Sequence, residues 1–215
     1  MKKNEVRDLI FNTLAPALVA KGFQLNKKDW RLVRAFPGGN QTIGIPCTGT
    51  EPEFKFTLVV TIRLDAVENV RNLFNEAPKE YHAATKTFAG RLDRFMARDE
   101  SVDENFMFPA ATPEQVQAAL ARLLPVIQNA VLPFLDQHRD VPSLAAAMKL
   151  AELPASLPRW HEATAPLVVA RLARSPDFPA IASGYRQLAK DLPAAEREKL
   201  QNLVVHLETL QGSIL

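Results

Sequence analysis

One stretch constrains the fold of this chain more than any other: Glu53 to Leu64, EFKFTLVVTIRL. Every second residue is apolar: Phe54, Phe56, Leu58, Val60, Ile62 and Leu64. Successive side chains of a strand point to opposite faces, so the pattern predicts a strand with one face buried and the other wet. Six such side chains, at about 1.5–3 kcal/mol each, supply gross burial on the order of 10 kcal/mol. A sheet with one greasy face needs a second layer to cover it.

The rest of the chain supplies candidates for both layers. Residues 3–21 carry Val6, Leu9, Ile10, Leu14 and Leu18 at helical spacing, with Pro16 as an interruption and Gly22 where a helix C-cap belongs. In GFQLNKKDWRLVRAF, Trp30, Leu32 and Phe36 fall on one strand face, and Arg34 breaks the pattern. Pro37-Gly38-Gly39-Asn40 is a turn, and Ile43, Ile45 and Cys47 alternate after it, which makes a hairpin. With the 53–64 strand this reads as an antiparallel meander. Residues 66–76 predict a short helix with Val67, Val70 and Phe74 inward, stopped by Pro78.

Thr112-Pro113-Glu114-Gln115 is the sharpest local signal. Thr112 can cap, Pro113 suits the first helical position, and Gln115 can complete a capping box. The helix it starts carries Val116, Leu120, Leu123, Leu124, Ile127 and Val131, with Pro125 inside and Pro133 near its end, both expected to bend it. This helix is the natural cover for the sheet. After Asp140 come short helical segments, the proline-rich connector LAELPASLPRW, a helix pair around Ser175-Pro176-Asp177, and a last helix with Leu200, Leu203, Val204 and Leu207 on one face. The expected fold is α+β. An antiparallel sheet of about four to five strands is covered by helices on one face, and a small C-terminal helical cluster follows. Residues 1–150 read as the sheet-and-helix domain and 151–215 as a helical extension.

The order of these parts resembles a known family. It runs from the helix ending at Gly22-Phe23, through Trp30 and the 54–64 strand, to Arg91-Leu92-Asp93-Arg94-Phe95-Met96. A polar loop, Phe106-Met107-Phe108 and a helix ending Val131-Leu132-Pro133-Phe134-Leu135 complete it. Over about residues 1–148 the chain is similar to domain-of-unknown-function family 4304, mostly bacterial proteins with no assigned activity. The resemblance implies strands at 86–96 and 105–109, whereas the spacing Phe88–Leu92–Phe95 taken by itself favours a helix for the first. It implies no catalytic residues.

The 215 residues include one cysteine, Cys47, so no internal disulfide can form, which fits a reducing compartment. The N-terminal stretch is broken by Glu5, Arg7 and Asp8, unlike a signal peptide, and no bilayer-crossing segment is expected. A cytoplasmic protein without membrane contact is the expectation. Net charge is +2, too small to point to nucleic acid. Its distribution is uneven. Residues 1–50 hold eight Lys or Arg against three Asp or Glu, while residues 99–215 hold ten against fourteen.

No catalytic, cofactor or metal residues are assigned. The histidines, His82, His138, His161 and His206, lack the spacing of three or four that a metal pair on a helix needs. The acidic run Asp99, Glu100, Asp103, Glu104 lacks the alternating ligands and central glycine of a calcium loop. Cys47 alternates with core residues and has no thiolate-stabilising neighbours in sequence. The candidate anion or nucleic-acid contacts are Lys27, Lys28, Arg31 and Arg34, near Trp30 and Phe36, with Arg91 and Arg94 as a second set. The functional expectation is a non-catalytic protein-binding or regulatory module acting through a sheet edge or helical groove, with a protein partner or a second copy bound there. The alternatives are an enzyme with a cleft between sheet and C-terminal helices, and nucleic-acid binding through the basic N-terminal third.

Overall fold

The computed structural model describes residues 1–148, 150 and 160–210, and of residues 160–162 the backbone alone. The connector LAELPASLPRW, where the expected boundary at 150 falls, lies almost wholly outside the described residues. The fold is α+β, with an antiparallel sheet, helices against it and a C-terminal helical cluster. Five strands form the main sheet in the order β1 (Gln24–Asn26), β2 (Arg31–Phe36), β3 (Gly39–Gly44), β6 (Val59–Leu64), β7 (Phe88–Arg91). Three two-residue strands, β4 (Cys47–Thr48), β5 (Lys55–Phe56) and β8 (Phe108–Pro109), form a second sheet in the order β4-β5-β8.

The β2–β3 hairpin closes with Phe36 opposite Gly39, leaving Pro37-Gly38 as a two-residue loop. Gly38 takes φ +84°, the conformation that a glycine after proline provides in such turns. The expected meander is interrupted. Between β3 and its neighbour β6 the chain detours through β4 and β5.

The 53–64 ribbon is therefore not one strand. It leaves the small sheet after Phe56 and joins the main sheet at Val59. At the handover the Thr57 amide donates to the Pro46 carbonyl (3.2 Å), and its hydroxyl donates to the Phe106 carbonyl (2.7 Å). Phe54, Phe56, Leu58, Val60, Ile62 and Leu64 are all buried regardless. The alternate face is wet only at Glu53 and Lys55. Thr57 and Arg63 are buried, and Val59 and Thr61 are half-buried. β6 lies between β3 and β7, an interior strand of the main sheet.

The chain divides into two compact units, Met1–Ile62 with Ala89–Gln137, and Arg63–Phe88 with His138–Leu215. In the first, α1 (Lys3–Val19) packs on α4 (Pro113–Val126) and against β1, and α4 also meets β8. α1 stops as its sequence predicts: Gly22 adopts φ +85°, and the Phe23 amide reaches back to the Leu18 carbonyl at 3.1 Å. The Thr112 hydroxyl accepts the Gln115 amide at 3.3 Å, and the Gln115 side chain returns to the amide of Ala111 at 2.8 Å, one residue earlier than the usual box. The helix then runs on through a π-helical turn, Ile127–Val131, into α5 (Leu132–Gln137). The wide turn lets the Leu132 amide reach the Ile127 carbonyl between two prolines that cannot donate.

Contrary to the sequence-based expectation, Pro113–Gln137 is long and apolar enough to cross a bilayer by length and composition. Its apolar side chains Val116, Leu120, Leu123, Ile127, Val131 and Leu135 are buried, and Gln117, Arg122, Gln128, Asn129 and Asp136 are exposed. That is the pattern of an amphipathic helix with one face packed and one face exposed.

Residues 86–96 combine both readings: β7 covers Phe88–Arg91, and a 3₁₀ turn covers Leu92–Arg94. The later strand shrinks to Phe108–Pro109. The second unit holds α2 (Asp65–Asn72), α3 (Lys79–His82), α6 (Val141–Ala147), α7 (Trp160–Leu172), α8 (Phe178–Leu188) and α9 (Ala194–Thr209). Here α7 packs against α2, α6 and α8, and α8 against α9.

Candidate functional site

The basic residues singled out by sequence are mostly engaged within the chain. Lys27 and Lys28 are exposed at the tip of the turn between β1 and β2. That turn is built by its own side chains. The Asn26 amide group donates to the Asp29 carboxylate (3.1 Å), and Arg31 pairs with the same carboxylate (2.9 Å). Trp30 is no strand residue. It takes φ +50° in the turn, and its ring lies 5.6 Å from that of Phe11, with the Arg7 guanidinium 5.4 Å from its centre. The aromatic that could have stacked a base is thereby held against α1.

Arg34 is more tightly committed. Its guanidinium lies 4.7 Å over the Phe23 ring and donates to Gln41 Oε1 through two nitrogens (2.9 and 2.7 Å). It also reaches the Lys21 carbonyl (3.2 Å) and Asp136 (2.7 Å). Buried Gln41 in turn donates to the Leu135 carbonyl. Arg91 donates to the Asn105 carbonyl at 3.0 Å. The Arg94 guanidinium lies 5.4 Å from the centre of the Phe134 ring, which meets Phe95 edge-on. Arg34 and Arg94 thus both meet α5, but through internal contacts rather than as a free cationic surface.

The acidic loop is also occupied from within. Asp99 accepts from the Ser101 amide (2.9 Å) and hydroxyl (2.5 Å) and pairs with Arg122. With Glu100 these residues line an open depression. Asp103 takes the amides of Asn105 (2.8 Å) and Met107 (3.0 Å) and pairs with Lys55 (2.9 Å). Although burial opposes ionisation, the bonds from Lys55, Met107 and Asn105 hold its carboxyl below the usual range. Among the described residues no group of three or more His, Cys, Asp and Glu is placed to hold a metal ion.

A buried polar cluster lies in the second unit, on a helix whose sequence predicts apolar inward positions. On α2, Val67 and Val70 are buried as expected, but Glu68 and Arg71 are buried with them, both fully inaccessible. Arg71 Nη1 donates to Glu68 Oε1 (2.5 Å) and to the Lys86 carbonyl (2.9 Å), and its Nε donates to Thr164 Oγ1 on α7 (3.3 Å). The Thr87 hydroxyl donates to Glu68 Oε1 (2.9 Å) and accepts the Leu64 amide (3.0 Å).

Burial lowers the Arg71 pKa, and the Glu68 carboxylate opposes that shift. Nearby Tyr185 on α8 donates to the Ala163 carbonyl, and its burial pushes the phenol up. Glu68 Oε2 and Arg71 Nη2 have no hydrogen-bond partner among the described residues. The one sequence signal for this centre was the Glu–Arg spacing of three on a helix, which by default marks an exposed pair.

The same unit exposes large apolar side chains. Leu73 is 68% exposed, Tyr81 60% and Val205 53%. The Phe74 ring lies 5.4 Å from that of His206, so the turn after α2 meets α9, and Leu73 and Val205 are the chain neighbours of the two rings. No family model, curated protein or solved structure matches this chain.

Proposed function

We propose that this chain is a non-catalytic, cytoplasmic protein-binding or regulatory module of the family it resembles, and that it docks a partner protein on its second unit. The observation that carries this reading is that Leu73 and Val205 are exposed while their chain neighbours Phe74 and His206 are in ring contact. Large apolar side chains left in water beside a packed aromatic pair are what a docking surface needs at its centre. The sheet edges support the reading less. β1 and β7 have three and four residues, which is short for adding a strand. The nucleic-acid alternative has little support, because Arg31, Arg34, Arg91 and Arg94 are engaged internally and Trp30 is packed on Phe11.

A photo-crosslinking residue at position 73 or 205 tests this in a native-like lysate, with position 117 on the exposed side of α4 as control. Saturable adducts from 73 and 205 but not 117, lost in Leu73→Glu/Val205→Glu, are expected. A second copy of the chain counts as a partner here. A strictly monomeric mass with no saturable adduct at either position refutes the proposal.

A further inference from the structure

We propose that residues 63–88 form a clasped strap, an excursion between neighbouring strands β6 and β7 that the buried Glu68–Arg71 pair holds on α7 and that opens as one cooperative piece. The strap closes on itself at its base. The Leu64 amide donates to Thr87 Oγ1 (3.0 Å), and Arg63 donates to the His82 carbonyl (2.8 Å) and to the Thr85 hydroxyl (2.6 Å). The hydroxyl of Thr87 belongs to both base and clasp, because it also donates to Glu68. Between these points α2 lies against α7, and Arg71 bonds Thr164 across that contact.

The chemistry of the clasp suits reversible closure. A buried ion pair gains little over an apolar contact of the same volume, because desolvation offsets most of the attraction. Glu68 Oε2 and Arg71 Nη2 have no partner among the described residues when the strap is shut, and both regain water when it opens. Opening is thus easier than for an apolar clasp of equal size, while loss of one charge leaves the other stranded. Leu73 and Tyr81 ride on the strap, so opening would remodel the docking surface. That consequence rests on the proposed function, whereas the opening itself does not.

Native-state amide exchange on the full chain, with no partner present, tests the strap. In the wild type, amides 65–72 are expected to exchange faster than those of β2 and β3, through a local opening. Arg71→Met is expected to speed exchange at 65–72 by about a hundredfold, leaving β2 and β3 within about threefold. Glu68→Met/Arg71→Met is expected to return those amides to the wild-type rate or slower. Should Arg71→Met fail to fold, Thr164→Val, which removes one bond, is expected to give about a tenfold local increase. The strap is refuted if 65–72 exchange only with β2 and β3, if the single variant speeds exchange equally everywhere, or if the double variant is no slower than the single. Because no partner is present, failure here leaves the crosslinking result untouched, and the reverse also holds.

Discussion

Arg34 and Asp136 meet at 2.7 Å across 102 positions of sequence, tying β2 to the end of the long helix. The Arg34 side chain is only 12% exposed and also satisfies buried Gln41. Arg34→Ala strands the Gln41 carbonyl oxygen, so a loss of about 2–3 kcal/mol in unfolding free energy is expected. Arg34→Lys should recover less than half of that, because an ammonium cannot span both nitrogens' contacts or lie flat on Phe23. Urea unfolding of the two variants checks both statements.

The Thr112 cap gives a second prediction. Thr112→Ala should cost about 1 kcal/mol, and Thr112→Ser should cost less than half of that, since its hydroxyl can still accept the Gln115 amide. Thermal unfolding of the pair separates the cap from any loss of side-chain packing, because Thr112 is exposed.

Acid should act on α6 through Asp140. The amide of Ser143 donates to the Asp140 carboxylate at 2.8 Å, and this bond, with the Ser143 side chain, holds the carboxyl below its usual range. A carboxyl depressed in the folded state adds stability above the unfolded value of about 4, and that stability is lost as pH falls through the lower folded value. The group is exposed, so the effect is expected to stay under about 1 kcal/mol. Asp140→Asn keeps a cap and removes the titration. Its stability between about pH 4 and 2 should fall less steeply than that of the wild type.

Cys47 faces the core opposite Phe56, and burial pushes its thiol up despite Lys3 and Arg7 nearby. A thiol reagent at neutral pH should therefore label it slowly in the native chain and at least about a hundredfold faster in urea. Cys47→Ala should be tolerated better than Cys47→Ser, which puts an unpartnered hydroxyl in an apolar site.

Legibility in the sequence followed the range of the forces. The Thr112 cap, the Gly22 helix end and the Pro37-Gly38 turn are decided within a few residues, and each was readable. The 53–64 alternation named the right six core residues, because burial depends on parity. Its division between two sheets was not readable, since that depends on Pro46 and Phe106. Trp30 fitted a strand face by count, yet its ring is held by Phe11 and Arg7 from a left-handed turn. Arg34 stood out as a break in the strand pattern and hence as a surface cation. Its real partners, Gln41 and Asp136, come from another strand and another helix. Glu68 and Arg71 were invisible for a related reason. A charged pair on a short helix defaults to water unless distant groups enclose it, and Lys86, Thr87 and Thr164 do so here.

The Thr57–Leu58 handover passes the chain from one sheet to another without changing which side of the backbone is oily. Phe54 and Phe56 before it keep the same phase as Val60, Ile62 and Leu64 after it. Evolution can therefore exchange one apolar side chain for another along this stripe more readily than it can shift the reading frame. A single-residue insertion or deletion between 56 and 59 would turn one half of the stripe inside out, so length changes are survivable there only two residues at a time, or outside the segment altogether.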